Sequence, residues 1–164
     1  SCLFPGSSGS GFVKYLRDIV PQEFTSVIKV LGSDCGIDGG GMVCDHVCYR
    51  TETNEEYRNL TKVLNLCKDV TLLVEGEIGG RLISSYNFNE PIIIEETGHK
   101  IHTIEIPAPK KGTSYKSGVE HFEFVLPPSE KDGEVYQVTL EGNTVTVFHD
   151  IPSSFNLWFD FILF

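Results

Sequence analysis

Positive charge is scarce in this chain: 13 Lys and Arg stand against 23 Asp and Glu, giving a formal net charge of −10 and a pI near 4.9. Phosphate backbones and anionic bilayers are met by basic footprints, so nucleic acid and membrane surfaces are set aside as partners. No run reaches the ~18 apolar residues that a membrane helix needs. No basic segment leads into a long apolar stretch at the start, so no signal peptide is read. The five cysteines, Cys2, Cys35, Cys44, Cys48 and Cys67, contain no Cys-x-x-Cys pair. An odd, irregularly spaced set points to reduced thiols and a cytoplasmic location. Also missing are a Gly-rich phosphate loop, a nucleophile elbow and a dinucleotide fingerprint. GIDGGG at 36–41 lacks both the lysine and the strand-to-helix setting, and reads as a connector.

What is present fits one ordinary domain. At 164 residues and 40% hydrophobic content, the chain can bury a core without disulfide staples. Residues 1–11 form a flexible lead-in to a single domain over 12–150, and 151–164 form an apolar tail that reads as a docking helix or interface segment. Phe12, Leu16, Ile19 and Val20 recur at helical spacing up to Pro21, and Phe24, Val27, Ile28 and Leu31 do so from Pro21 to Gly32. Two short helices are therefore expected, since proline suits a first helical turn and glycine a helix end.

MVCDHVCYR, 42–50, reads as a strand with His46, Cys48 and Arg50 on one face and Val47 and Tyr49 on the other. Thr53 to Glu56 has capping-box form, and Tyr57, Leu60, Leu64 and Cys67 make the stripe of a helix over about 54–67. Two strands joined at Gly79-Gly80 follow, then a strand up to Pro107. VEHFEFVL at 119–126 opens a second run of strands, continued by VYQVTL and NTVTVFH through a turn at Glu141-Gly142-Asn143. PPSEKDG, between these runs, is too short to hold a helix and a further strand.

Strict alternation in VEHFEFVL puts Glu120, Phe122, Phe124 and Leu126 on one face and Val119, His121, Glu123 and Val125 on the other. His121 and Glu123 then meet water, a hydrogen-bond partner or a metal ion. In HKIHTIEIPAP the same rule groups Ile101, Thr103 and Glu105 against His102, Ile104 and Ile106. His46, Glu105 and His121, if a fold unites them, form a 2-His-1-carboxylate set with open coordination positions, suited to Zn, Mn, Fe or Ni. A set of hydrogen-bonded polar groups on a solvated sheet face is the alternative. Cys44 and Cys48 straddle His46 and by alternation share its face, which tempts a Cys-His metal reading, but free cysteines read as small core residues. His99 and His102 read as structural or exposed.

CDHVCYR, the helix after it, GGRLISSYNFNEPI, IHTIEIPAPKKGTSYKSGVEHFEFVLP and GNTVTVFHD together resemble the YecM family of uncharacterised bacterial proteins over roughly residues 12–150. That family looks like the vicinal oxygen chelate superfamily, which includes glyoxalase and extradiol dioxygenases. The resemblance implies an α+β fold of paired βαβββ modules forming a cupped mixed or antiparallel sheet, here with N-terminal helices and a shortened second module. It implies a divalent metal held by His46, Glu105 and His121, from the first, fourth and fifth strands. The position of a fourth ligand, often a carboxylate, falls on Thr146, which leaves a three-ligand site with extra water, a substitute such as Glu123, or a site that has lost its metal. Glu105 or Glu123 would move a proton, while Arg50 and Tyr115 would contact the substrate. The function expected is a metal-dependent isomerase, lyase or dioxygenase acting on a small oxygen-bearing metabolite, with a homodimer left open. A non-catalytic binding module that keeps the same fold is the rival.

Overall fold

A computed structural model describes residues 8–114, 116–125, 135–141 and 144–150, the last two segments and residues 34–35 by backbone alone. The first element, α1 (Gly9–Cys35), begins where extended Ser8 accepts a hydrogen bond from the Gly11 amide at 3.1 Å. The N-cap satisfies one of the orphan donors of the first turn, so GSGF is helix and not lead-in. One continuous helix also replaces the two expected, with Pro21 inside it. An interior proline costs about 3 kcal/mol, whereas each fully buried large apolar side chain contributes about 1.5–3 kcal/mol. Phe12, Leu16, Val20, Phe24, Val27 and Leu31 form one stripe running through the proline, each with no exposed surface. Burial outweighs the break. The helix ends at Gly36, whose φ of 66° is left-handed, and not at Gly32.

The strands are β1 (Val43–Arg50), β2 (Val70–Ile78), β3 (Arg81–Ile94), β4 (His99–Pro107), β5 (Gly118–Val125), β6 (Val135–Glu141) and β7 (Thr144–Asp150). They make one seven-stranded sheet in the order β2-β3-β4-β1-β5-β6-β7. Helix α2 (Asn54–Asn65) follows β1, capped by Thr53, whose hydroxyl accepts from the Glu56 amide. β1, α2, β2, β3 and β4 form a βαβββ unit, because β4 returns to lie parallel to β1 while the other pairings are antiparallel. On the other side of β1 runs the antiparallel succession β5, β6, β7, with no helix among its described residues. The architecture is α+β with a mixed sheet and an N-terminal helix. Among the described residues, no helix is long and apolar enough to cross a membrane.

Both helices lie against one face of the sheet. Phe24 of α1 touches Phe122 and Phe124 of β5 at 5.3 and 5.5 Å between ring centroids, and Phe12 meets Tyr49 of β1 edge to face. From α2, the Tyr57 hydroxyl bonds Ser84 and Asn65 accepts from Tyr86, both partners lying on β3. Ser84, Tyr86 and Phe88 thus point to the helices, which leaves Arg81, Ile83 and Ser85 on the opposite face. Gly9 allows α1 to approach α2 closely: a Cβ there would lie 2.7 Å from the Val63 carbonyl oxygen.

Alternation fails at the start of β4. Ile101 joins Ile104 and Ile106 in the core, and His102 is exposed. The irregularity has a partner, because β3 shifts register between Asn87 and Ile92 opposite this segment.

Candidate metal centre

Two β-bulges build the site. In the antiparallel pairing of β1 with β5, Cys44 faces Phe124 and His46 faces Glu123, so Asp45 is an extra residue on β1. Cys48 then faces His121 and Tyr49 faces Val119, which makes Glu120 an extra residue on β5. A bulge re-aims the side chains on either side of it. Cys44 therefore turns into the core with Val47 and Tyr49, and it does not share the His46 face. Val119 likewise packs against the core with Phe122 and Phe124, while Glu120 joins His121 and leaves the Phe122 side where alternation placed it.

The face opposite the helices now holds His46, Cys48, Glu105, Glu120, His121 and Glu123. Glu105 stands beside Cys48 in the parallel register, and Glu123 opposite His46 in the antiparallel one. One ligand atom from each of His46, Glu105 and His121 lies within 4.8 Å of the others, so the three residues expected to meet do meet. Asp45, His46 and Glu123 form a second such group, and Cys48, Glu120 and His121 a third. The two imidazoles lie edge to face, 5.7 Å between centroids.

His46 is the pivot. Its Nδ1 is 2.9 Å from the Asp45 carboxylate, while its Nε2 faces Glu105 at 3.6 Å and Glu123 at 3.9 Å. Those two distances exceed hydrogen-bond length, and buried Nε2 has no hydrogen-bond partner. Burial works against the His46 cation, but the Asp45 hydrogen bond and the carboxylates of Glu105 and Glu123 outweigh it and raise the pKa to about 9. His121 titrates below its ordinary range, because burial and the neighbouring His46 outweigh Glu120 and Glu105. Its Nδ1 is also buried without a hydrogen-bond partner, 3.8 Å from Glu120.

Glu120 closes the far side. It is paired with Arg50, and the Cys48 thiol donates to it at 3.7 Å. Burial favours its neutral form, yet His121 and Arg50 hold its carboxyl below the usual range. Burial pushes the Cys48 thiol well above its usual value, so it is a protonated, packed thiol in metal-free protein.

Two nitrogens, both buried without a hydrogen-bond partner, and two carboxylates suit a borderline or hard divalent ion. The fit to a metal extends to the next shell, since a carboxylate on Nδ1 leaves Nε2 as the coordinating atom. Tyr115 lies outside the described residues, and Lys116 beside it is exposed. Thr146 pairs with Thr139, which pairs with His121, so its backbone lies two strands from the site histidine. His99 is structural: it bonds the Met42 carbonyl at 2.8 Å and Thr97 at 2.7 Å, against Phe24. Asp45 and Glu120 were missed by the sequence reasoning. Their signal was the three-residue step between apolar positions, Cys44 to Val47 and Val119 to Phe122, that a bulge imposes.

No curated protein sequence matches the chain significantly. A solved structure named "Structural Genomics, Protein EC4020" is similar in fold, with a TM-score of 0.58 and 22% identity over 82% of this chain and 86% of that one. Residues 18–152 match the family described as "YecM protein". With the larger part of its length covered by that match, the chain belongs to the YecM family.

Proposed function

We propose that the protein is a metal-dependent enzyme of the vicinal oxygen chelate type, acting on a small metabolite that offers carbonyl, enediolate or diol oxygens. The observation that carries this reading is the buried Nε2 of His46, without a hydrogen-bond partner and facing two carboxylates, with its Nδ1 on Asp45. An orphaned buried nitrogen costs about 1–3 kcal/mol, which a ligated cation would relieve. His46, Glu105 and His121 would hold the ion, with Glu123 in the place of the fourth ligand. When bound, a divalent ion supplies Lewis acidity to a substrate oxygen.

The remaining chemistry belongs to the chain. Asp45 fixes the His46 tautomer. Glu123, if it stays off the ion, is placed to take a proton from a carbon next to a bound carbonyl, and Glu105 is the other candidate for that role. Arg50 engages the Glu120 carboxylate beside His121. Metal analysis decides the reading. Purified protein incubated separately with Mn, Fe, Ni and Zn is expected to retain one ion per chain, and His121→Ala to lose it. Wild type that retains none of the four ions sinks the proposal.

A second reading is favoured by Thr146, which by the resemblance takes the position where superfamily enzymes often have a carboxylate. In that reading the domain sequesters a small ligand without turning it over. Stoichiometric metal and ligand binding with no product formed would select it.

A further inference from the structure

Among the described residues, one buried cation is left over. Arg81 opens β3 on the face that carries Ser85, and Ser85 stands opposite Glu105 in the β3–β4 pairing. Strand pairing is regular from Arg81 to Tyr86 on the β3 side, so Arg81, Ile83 and Ser85 all project to the face of the candidate centre. Arg81 is only 8% exposed. Its Nη1 reaches the Ala108 carbonyl at 3.4 Å, its Nε has no acceptor, and it forms no ion pair among the described residues. Across the β2 pairing the positions on its own face are Gly76 and Ile78, neither of them acidic. Glu120, the acid at this end of the face, is engaged by Arg50. Between Arg81 and the histidines lie buried Ile83 and Cys48, which belong to no part of the main core cluster.

Lysine, glutamate and arginine are almost never fully buried unless paired, because desolvating an uncompensated charge is costly. The Nε–H of a guanidinium and the Nη–H beside it are parallel donors, the geometry that receives a carboxylate, and here Nε has no partner. We propose that Arg81 docks an anionic oxygen group, a carboxylate, on the ligand that occupies the His46–Glu105–His121 face. The ligand class is thus narrowed from any oxygen-bearing metabolite to an oxyacid, one end of which meets the ion and the other Arg81. The location of the ligand rests on the metal-centre reading, whereas the anion-binding role of Arg81 does not.

Malonate and its neutral isostere malonamide are the probes, each against protein at matched ionic strength. For Mn-loaded wild type, malonate is expected to raise the melting temperature and malonamide to leave it unchanged. Arg81→Met should bind malonate about tenfold more weakly or worse, with Mn affinity retained. Arg81→Lys, which keeps the charge but loses the fork, should fall between. An independent measurement follows the Nε–H resonance of Arg81 in metal-free wild type, assigned through its side-chain carbons. Malonate should shift it. Wild type that holds no metal would end the metal reading, and a malonate-dependent shift of that resonance would still stand. Equal malonate binding by wild type and Arg81→Met, or an Nε–H resonance that malonate leaves in place, overturns the proposal.

Discussion

Asp45 and His46 are chain neighbours whose side chains meet, Oδ2 to Nδ1 at 2.9 Å, on the same side of a strand that should have turned them apart. The bulge at Asp45 brings this about. A regular strand would have sent Asp45 into the helix-packed core, where an ionised carboxylate is not tolerated without a partner. The carboxylate instead fixes the tautomer of the imidazole. Asp45→Asn keeps the size but removes the charge and weakens the acceptor. Partners of metal-bound histidines contribute 10–100-fold in affinity as an order of magnitude. A loss of about that size is expected in competition against a chromophoric chelator, with the melting temperature of the metal-free protein little changed. Unaltered affinity would remove Asp45 from the site.

The two histidines should pull the stability of metal-free protein in opposite directions as pH changes. His46 has a folded pKa of about 9, above the ordinary 6.5, so its contribution is complete below pH 6.5 and is lost as pH rises through 9. The shift corresponds to about 3 kcal/mol at most. His121 is depressed, so its contribution is present above the unfolded value and is lost as pH falls through it. In EDTA, urea midpoints are expected to peak near pH 6.5, where both contributions are present, and to fall on either side. His46→Gln should flatten the alkaline limb and, because the His46 cation helps to depress His121, shrink the acid limb without abolishing it. Loss of the acid limb in that variant would mean the assignments are exchanged. Metal addition near pH 7 should release a proton, because His46 must be neutral to coordinate.

Much of this was legible from residue spacing, and the misplaced strand residues of the site have a common cause. The βαβββ unit follows from the capped α2 stripe and from strands bounded by Gly79-Gly80 and Pro107. The meeting of His46, Glu105 and His121 followed from a family resemblance, since residues so far apart in sequence are united only by a sheet. Period-two alternation misassigned Cys44, Val119 and Glu120 because a bulge adds one residue and reverses every face beyond it. Pro21 misled for another reason. Local rules end a helix there, and tertiary burial of Phe24, Val27 and Leu31 carries it on.

Arg50 and Glu120 form an ion pair whose side chains are 20% and 15% exposed. Removing one partner of so enclosed a pair strands the other charge, at a cost of about 2–3 kcal/mol. Arg50→Met should lower the urea midpoint accordingly, and the double variant Arg50→Met, Glu120→Gln should recover most of the loss. A double variant no better than the single one would mean that Arg50 acts through packing and not through charge.

Phe24 couples the helix to the strand that carries His121 and Glu123. Its ring is fully buried against His99, Phe122 and Phe124. Because Phe122 and Phe124 alternate with Glu123 and flank it on β5, a cavity at Phe24 loosens the backing of the site face directly. Phe24→Ala should cost about 3–5 kcal/mol, while Phe24→Leu, which keeps much of the volume, should cost far less. If α1 serves to hold β5 in register, metal affinity should fall in Phe24→Ala at temperatures where the protein is still folded, and Phe24→Leu should retain it. Affinity equal to wild type in folded Phe24→Ala would show that the bulged β1–β5 pairing holds the ligands by itself, with the helix supplying stability alone.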